Sequence, residues 1–148
     1  ICAVYVDKSV DQAKGVKVVV DSKTNYPAAC NALETLLVHK DVVSSFLPAM
    51  AAAMPSEVVY KADATCLPHL PKEKVSAAVE EDYCTEFLGL KMAVKVVSDV
   101  EEAIEHINSH GSGHTDCVLA QDKVVAERFM DAIDSADVFH NCSMPFRL

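Results

Sequence analysis

Cys30 stands among small residues in surroundings that are typical of a reactive thiol. Residues 25–34 read Asn-Tyr-Pro-Ala-Ala-Cys-Asn-Ala-Leu-Glu, and residues 28–33 are predicted to begin a helix after the Asn-Tyr-Pro turn. Unpaired backbone N–H groups in the first turn of a helix stabilise a thiolate, and also an oxyanion formed on the group that it attacks. Cys30 is therefore a candidate nucleophile. Composition alone favours the alternative of a buried, inert cysteine, because free cysteine is among the most buried residue types.

A second polar segment, residues 111–116, holds two of the four glycines of the chain and lies between a predicted helix and a predicted strand. Successive N–H groups in such a turn form an anion-binding concavity, and Ser112, His114 and Thr115 add donors. The segment is therefore a candidate contact for an anionic substrate. A helix C-cap at Gly111 followed by a polar loop is the alternative explanation.

Three histidines, His106, His110 and His114, recur at every fourth residue. On one continuous helix they would form a stripe of metal ligands. Gly111 and Gly113 interrupt the pattern after His110, which favours a helix end followed by a loop. We predict no metal site, and a metal-binding module stays as a weaker alternative.

The elements that must position these residues alternate between strands and helices. Apolar runs predict strands at residues 2–7, 35–39, 58–60, 93–97, 116–120 and 136–141. Helical patterns cover residues 10–22, 44–54 and 122–133, and a further helix is N-capped by Ser98 with Val100, Ala103, Ile104 and Ile107 on one face. Residues 63–72 are predicted to form a loop. The alternation predicts one three-layer α/β domain with a largely parallel sheet flanked by helices. We expect its ligand site at the carboxyl ends of the strands.

Composition excludes several classes of function. A formal net charge of -9 disfavours nucleic acids and anionic membrane surfaces as partners. The apolar runs are shorter than the roughly 20 residues of a membrane span. A sequence with 51% hydrophobic residues does not need disulfides, so its six cysteines are predicted to be free thiols of a cytoplasmic protein.

Residues 26–39 resemble the catalytic-cysteine segment of gamma-glutamyl phosphate reductases, also called glutamate-5-semialdehyde dehydrogenases, in the aldehyde dehydrogenase superfamily. Four further stretches resemble the family in the same order, at residues 1–7, 85–88, 111–116 and 134–141. The resemblance therefore runs through nearly the whole chain. It extends to bifunctional pyrroline-5-carboxylate synthases, in which the reductase follows a glutamate kinase.

The resemblance implies an aldehyde-dehydrogenase-like catalytic domain that acts in proline biosynthesis. The implied reaction is NADPH-dependent reduction of glutamyl 5-phosphate to glutamate 5-semialdehyde, through a thioester on Cys30. Cys30 and Asn31 are assigned to the catalytic site, and Glu86 to the nicotinamide ribose, although an exposed charge before an apolar run also explains Glu86. Contacts with the substrate or its phosphate are implied for Gly111, Ser112, Gly113, His114 and Asn141.

Members of the family also have a nucleotide-binding domain and a strand extension used in oligomerisation. Neither is found in this sequence, which has no Gly-rich dinucleotide motif, so we expect a homo-oligomer only at full length and an isolated chain that is inactive or nearly so. After Asn141 the family usually continues Ala-Ser-Thr-Arg-Phe, whereas this chain reads Cys-Ser-Met-Pro-Phe-Arg. A non-catalytic interaction or assembly domain that retains the fold is the alternative function.

Overall fold

The computed structural model describes residues 1–144, so the end of the divergent C-terminal run, from Pro145 onward, lies outside the described residues. The strands are β1 Cys2–Val6, β2 Leu33–His39, β3 Val59–Ala62, β4 Val75–Ala77, β5 Lys91–Val97, β6 Thr115–Leu119 and β7 Asp137–His140. The helices are α1 Gln12–Thr24, α2 Val43–Ala53, α3 Val100–His110 and α4 Lys123–Ala132, with single 3-10 turns at Leu67–His69 and Glu80–Cys84.

The strands of residues 1–144 form one sheet in the order β4-β3-β5-β2-β1-β6-β7, and every pairing is parallel. Helices α1 and α2 bury Val19, Phe46 and Met50 against one face of the sheet. Helices α3 and α4 bury Ile107 and Phe129 against the other face. The predicted three-layer α/β architecture with a largely parallel sheet is confirmed.

The central strands β1 and β2 are buried along their whole length. The continuous apolar sequence of β1 suits a parallel sheet that is covered on both faces. Helix α3 begins one residue later than predicted, because Asp99 and not Ser98 is its N-cap. The Asp99 carboxylate accepts the Glu102 backbone N–H at 3.0 Å, which satisfies one of the free donors of the first turn.

The predicted helix at residues 28–33 is wrong. The backbone forms two tight turns, in which Ala29 N–H donates to the Tyr26 carbonyl and Ala32 N–H donates to the Ala29 carbonyl, each at 3.0 Å. Strand β2 then begins at Leu33 and pairs with β1 and β5 on its two sides. Pairing on both sides satisfies the backbone groups that a helix would otherwise satisfy.

Most of the candidate residues do not lie at the carboxyl ends of the strands, where the site was expected. Cys30 precedes β2, and residues 111–114 precede β6, so both segments lie at the amino ends of the strands. Within residues 1–144, no helix has the length and apolar character needed to cross a membrane.

Candidate active site

Three candidate segments meet at the amino edge of the sheet. Because all strands are parallel, the segments that precede neighbouring strands lie side by side. In spatial order the three are the loop before β5 with Glu86, the turn before β2 with Cys30 and the loop before β6 with Ser112, and the start of β1 lies between the last two. The Ile1 nitrogen lies 3.3 Å from Glu86 Oε1 and 2.6 Å from Ser112 Oγ. The fold therefore brings together side chains that are far apart in the sequence.

Cys30 is exposed, and the backbone of its turn is held by a buried neighbour. The buried Cys2 thiol donates to the Cys30 carbonyl at 3.2 Å. Burial raises the pKa of Cys2 to about 11, so this thiol stays protonated and remains a donor at neutral pH. No helix begins at residues 25–32, so stabilisation of a Cys30 thiolate by a helix N-terminus, as expected from the sequence, does not occur here.

Asn31 ties the C-terminal segment to the same turn. Its side-chain amide donates to the Met144 carbonyl at 3.3 Å, and the Met144 N–H donates to Ser22 Oγ at 3.4 Å. Met144 is fully buried. The structure thus shows a contact that orders the segment after β7, and a catalytic role for Asn31 stays a prediction.

Glu86 lies in a loop that a buried carboxylate holds in place. The Glu86 side chain is 47% exposed, and the next two backbone N–H groups, of Phe87 and Leu88, donate to Glu34 at 3.2 Å each. Lys23 Nζ lies 3.4 Å from Glu34 Oε2 and donates to the Leu33 carbonyl at 2.6 Å. Desolvation lowers the pKa of Lys23, and the opposing attraction of Glu34 favours its charged form.

The loop before β6 depends on both of its glycines. Gly111 caps α3, with its N–H donating to the Ile107 carbonyl at 2.8 Å, and a Cβ on Gly111 would lie 2.6 Å from that same oxygen. Gly113 has a φ of +71°, in the left-handed region that favours glycine. His114 Nδ1 is 2.6 Å from Thr115 Oγ1. The predicted C-cap is confirmed, and substrate contacts from this loop stay predictions.

Asn141 lies at the opposite edge of the sheet. It follows β7 with a φ of 56°, accepts the Ala120 N–H at 2.9 Å and donates to the Ala120 carbonyl at 3.0 Å. Asn141 also lines a cavity of 220 Å³ with Asp11, Lys14 and Gln121 at the carboxyl edge. The structure does not bring Asn141 to Cys30, and its contact with the substrate stays a prediction.

The three histidines do not form a common site. The rings of His106 and His110 stack at 4.2 Å, and His110 Nε2 lies 2.6 Å from Glu80 Oε1. His114 lies beyond the helix end at Gly111. Among residues 1–144, no group of three His, Cys, Asp or Glu side chains is arranged to hold a metal ion.

Comparison with known proteins identifies relatives of the chain, although no protein-family model matches it. Gamma-glutamyl phosphate reductase of Synechococcus sp. (strain CC9605) is 50% identical over 150 residues, which cover 99% of this chain and 33% of that enzyme. This chain is homologous to part of gamma-glutamyl phosphate reductase. The resemblance found in the sequence is thereby confirmed, and the chain spans about a third of the length of the curated relatives it matches.

Solved structures agree with this assignment. Gamma-glutamyl phosphate reductase of Thermotoga maritima is 37% identical and superimposes with a TM-score of 0.91, over 97% of this chain and 34% of that one. Lactaldehyde dehydrogenase of Escherichia coli is 18% identical with a TM-score of 0.76, over 99% of this chain and 39% of that one. The second likeness shows that this chain has the fold of part of that dehydrogenase.

Sequence reasoning missed two residues that connect segments of the candidate site. Glu34 and Lys23 are buried charges that connect the Cys30 turn with the Glu86 loop. Glu34 lies between the predicted helix at residues 28–33 and the predicted strand at residues 35–39, so the sequence did not indicate its burial. Once β2 is seen to begin at Leu33, a charge buried in this strand requires a partner. The identity of that partner depends on the packing of α1 against β2, which the sequence pattern does not specify.

Proposed function

We propose that this chain is the cysteine-bearing catalytic domain of a longer NADPH-dependent reductase of proline biosynthesis, which converts glutamyl 5-phosphate to glutamate 5-semialdehyde. The observation that supports this most directly is the placement of the exposed Cys30 at the amino ends of the strands, in line with Glu86 and Ser112. These three residues come from separate segments that resemble the reductase family.

Cys30 is the proposed nucleophile. Its sulfur attacks the acyl carbon of glutamyl phosphate, the carbon–oxygen bond to phosphate breaks, and the leaving phosphate takes the proton of the thiol. NADPH, when bound, supplies the hydride that reduces the resulting thioester. The carbon–sulfur bond then breaks to release the aldehyde, and the Cys30 thiolate recovers a proton from solvent. One proton and one hydride are consumed for each phosphate released.

Other residues at the edge fit the proposed ligands. The half-exposed carboxylate of Glu86 has acceptors suited to the hydroxyl groups of the nicotinamide ribose. The Ser112 hydroxyl, the His114 ring and the N–H groups of the glycine loop provide donors for phosphate. Asn31 borders Cys30 directly. Catalysis also needs the nucleotide-binding part of the longer protein, since this sequence supplies no dinucleotide motif.

The family relationship supports a cytoplasmic enzyme that forms a homo-oligomer when complete. The ligands proposed for this chain are small molecules, namely glutamyl phosphate, phosphate and the nicotinamide cofactor. Nucleic acids and membranes are not proposed as partners, in keeping with the net charge of -9.

A chimera tests the proposal. This chain replaces the matching third of the Synechococcus reductase, and activity is measured in reverse as phosphate-dependent reduction of NADP⁺ by glutamate semialdehyde, with NAD⁺ for comparison. We expect activity with NADP⁺, and a loss of at least about 1,000-fold in Cys30→Ser. Cys84→Ser, which alters another exposed thiol, is the matched control and should retain activity.

Two results would contradict the proposal. One is a folded chimera that has no activity with either cofactor, which would favour the alternative of an assembly domain. The other is Cys30→Ser activity equal to that of Cys84→Ser, which would exclude Cys30 as the nucleophile.

A further inference from the structure

Two successive backbone N–H groups point at one buried carboxylate beside the candidate active site. Phe87 N–H donates to Glu34 Oε2 and Leu88 N–H donates to Glu34 Oε1, both at 3.2 Å. Neighbouring N–H groups aimed in one direction form a small anion-binding concavity. Here the anion is a side chain of the same chain, and Glu34 is 2% exposed.

The backbone of this loop adopts a conformation that needs support. Leu88 has a φ of 52°, in the left-handed region that a bulky side chain rarely adopts. Such conformations persist where surrounding contacts over-determine them. The two hydrogen bonds to Glu34 are contacts of this kind, and they lie one and two residues after Glu86.

Lys23 permits the Glu34 carboxylate to be buried. Its side chain is 0% exposed, and Nζ lies 3.4 Å from Glu34 Oε2. The pair is therefore closed from solvent, with the carboxylate satisfied by one ammonium and two amides. A buried charge with fewer partners would be strongly unfavourable.

Glu34 also belongs to strand β2, which follows the turn of Cys30. Only residues 31–33 separate the two, and the Leu33 carbonyl is held by the same Lys23 at 2.6 Å. The Glu34 side chain thus connects the segment that follows the Cys30 turn with the loop of Glu86. A shift of this carboxylate would move the loop relative to the thiol.

We propose that Glu34 is a positioning residue, which fixes the Glu86 loop at a set distance from Cys30 and so aligns the cofactor contact with the nucleophile. The inference rests on the proposed function for the roles of Cys30 and Glu86. Glu34 acts through the loop and does not touch the substrate.

Amide hydrogen exchange on this chain tests the positioning without reference to activity. In Glu34→Gln, one acceptor oxygen is replaced by an NH₂ group that faces a backbone N–H, so we expect exchange at Phe87 and Leu88 to become at least about tenfold faster. The double variant Lys23→Met/Glu34→Gln, which removes both charges of this buried pair, should show the same acceleration of exchange. Amides of β1 and β6 should keep their protection in both variants. Unchanged exchange at Phe87 and Leu88 would overturn the proposal.

Kinetics of the chimera tests the consequence for the reaction. Glu34→Gln and the double variant should each raise the KM for NADP⁺ about tenfold, whereas Glu81→Gln, an exposed carboxylate on the preceding 3-10 turn, should not change it. In a Glu86→Gln background, Glu34→Gln should add less than about a twofold change, because both act through one loop.

The failures of the two proposals are distinguishable. Two results with an active parent chimera would overturn the positioning role alone. One is a KM for NADP⁺ that does not change in Glu34→Gln. The other is a double variant in which the effects of Glu34→Gln and Glu86→Gln on KM multiply independently. An inactive parent chimera would overturn the proposed function and, with it, this inference.

Discussion

Cys2 Sγ lies 3.2 Å from the carbonyl oxygen of Cys30 and donates a hydrogen bond to it. The donor is buried at the start of β1, whereas Cys30 itself is exposed. The two cysteines therefore have different functions in the structure: Cys2 holds the turn, and Cys30 presents its thiol to solvent.

Alkylation should separate the cysteines by burial. Burial raises the pKa of Cys2 to about 11 and that of Cys117 to about 12, so less than about 1% of either is thiolate at pH 8. With iodoacetamide at pH 8, we expect Cys30, Cys84 and Cys142 to react at least about 100-fold faster than Cys2, Cys66 and Cys117, as followed by mass spectrometry. Comparable rates for Cys2 and Cys30 in the folded chain would contradict the structure.

Acid should destabilise the chain through His106. Burial, with the charges of His110 and Lys95, lowers the pKa of His106 to about 4 from 6.5. The unfolded chain binds this proton near pH 6.5, and the folded chain binds it only near pH 4. The contribution of neutral His106 to the free energy of unfolding is therefore complete above pH 6.5 and is lost as the pH falls to 4. The loss from this group amounts to about 3 kcal/mol.

His106→Phe should remove that part of the pH dependence while keeping an aromatic ring against Tyr83, which His106 contacts edge-on at 5.5 Å. The measurement is urea unfolding at several pH values between 4 and 7. The same slope of unfolding free energy against pH in both proteins would show that His106 is accessible to protons in the folded state.

Asp116 should contribute a pH dependence opposite to that of His106, and Asp116→Asn should remove it. Burial raises the pKa of Asp116 against the lowering effect of hydrogen bonds from Ser135 and Ala3, so the folded chain favours the neutral acid. The wild-type contribution is present below the unfolded pKa and lost as the pH rises. At pH 7 we expect the Asp116→Asn variant to be as stable as the wild type or about 1 kcal/mol more stable, because the new amide can accept from Ala3 and donate to Ser135.

The difference between Asp116→Asn and the wild type should decline as the pH falls toward the unfolded pKa of about 4, and should be absent below it, where the wild-type carboxyl is neutral in both states. Thermal unfolding of both proteins at pH 7 and about pH 3.5 measures this difference in stability. A variant that is destabilised at pH 7 by more than about 1 kcal/mol would mean that the carboxylate charge itself stabilises the site.

Glycine substitutions should test the loop before β6. In Gly111→Ala the new methyl group would lie 2.6 Å from the Ile107 carbonyl oxygen, a backbone atom that cannot move freely. We therefore expect the free energy of unfolding to fall by about 2 kcal/mol. Gly113→Ala, at a φ of +71°, should cost about 1 kcal/mol. Gly89→Ala is the control, since its nearest neighbour is 3.7 Å away, and should change stability by less than about 0.5 kcal/mol. Equal thermal stabilities of all three variants would contradict the described geometry.

Local sequence patterns were sufficient to predict the longer strands and helices of the chain. The apolar runs at β1 and β5 and the amphipathic repeat of α3 are set by residues within one element, so their existence could be predicted. Residues 73–79 were predicted to be regular but were not assigned as a strand, and the 3-10 turn at Glu80–Cys84 was not predicted. Strand β4 and this turn are too short to produce a periodic signal, and β4 exists through pairing with β3.

Cys30 shows where local reasoning failed. Its small neighbours are compatible with a helix start, yet Leu33 onward pairs with two strands that lie at distant positions in the sequence. Long-range pairing replaced the local preference of a short segment. Cys30 precedes its strand and does not follow one, so it lies at the amino ends of the strands and not at the carboxyl ends, where the site was expected.

The sequence by itself determined the α/β class, the resemblance to gamma-glutamyl phosphate reductase and the identity of Cys30 as the candidate thiol, because each depends on residue types in continuous runs. Only the tertiary structure decided that Glu86, Cys30 and Ser112 share one edge and that Glu34 connects two of their segments. Strand order and buried ion pairs are fixed by contacts between residues far apart in the chain, and a pattern within one element carries no information about its partner.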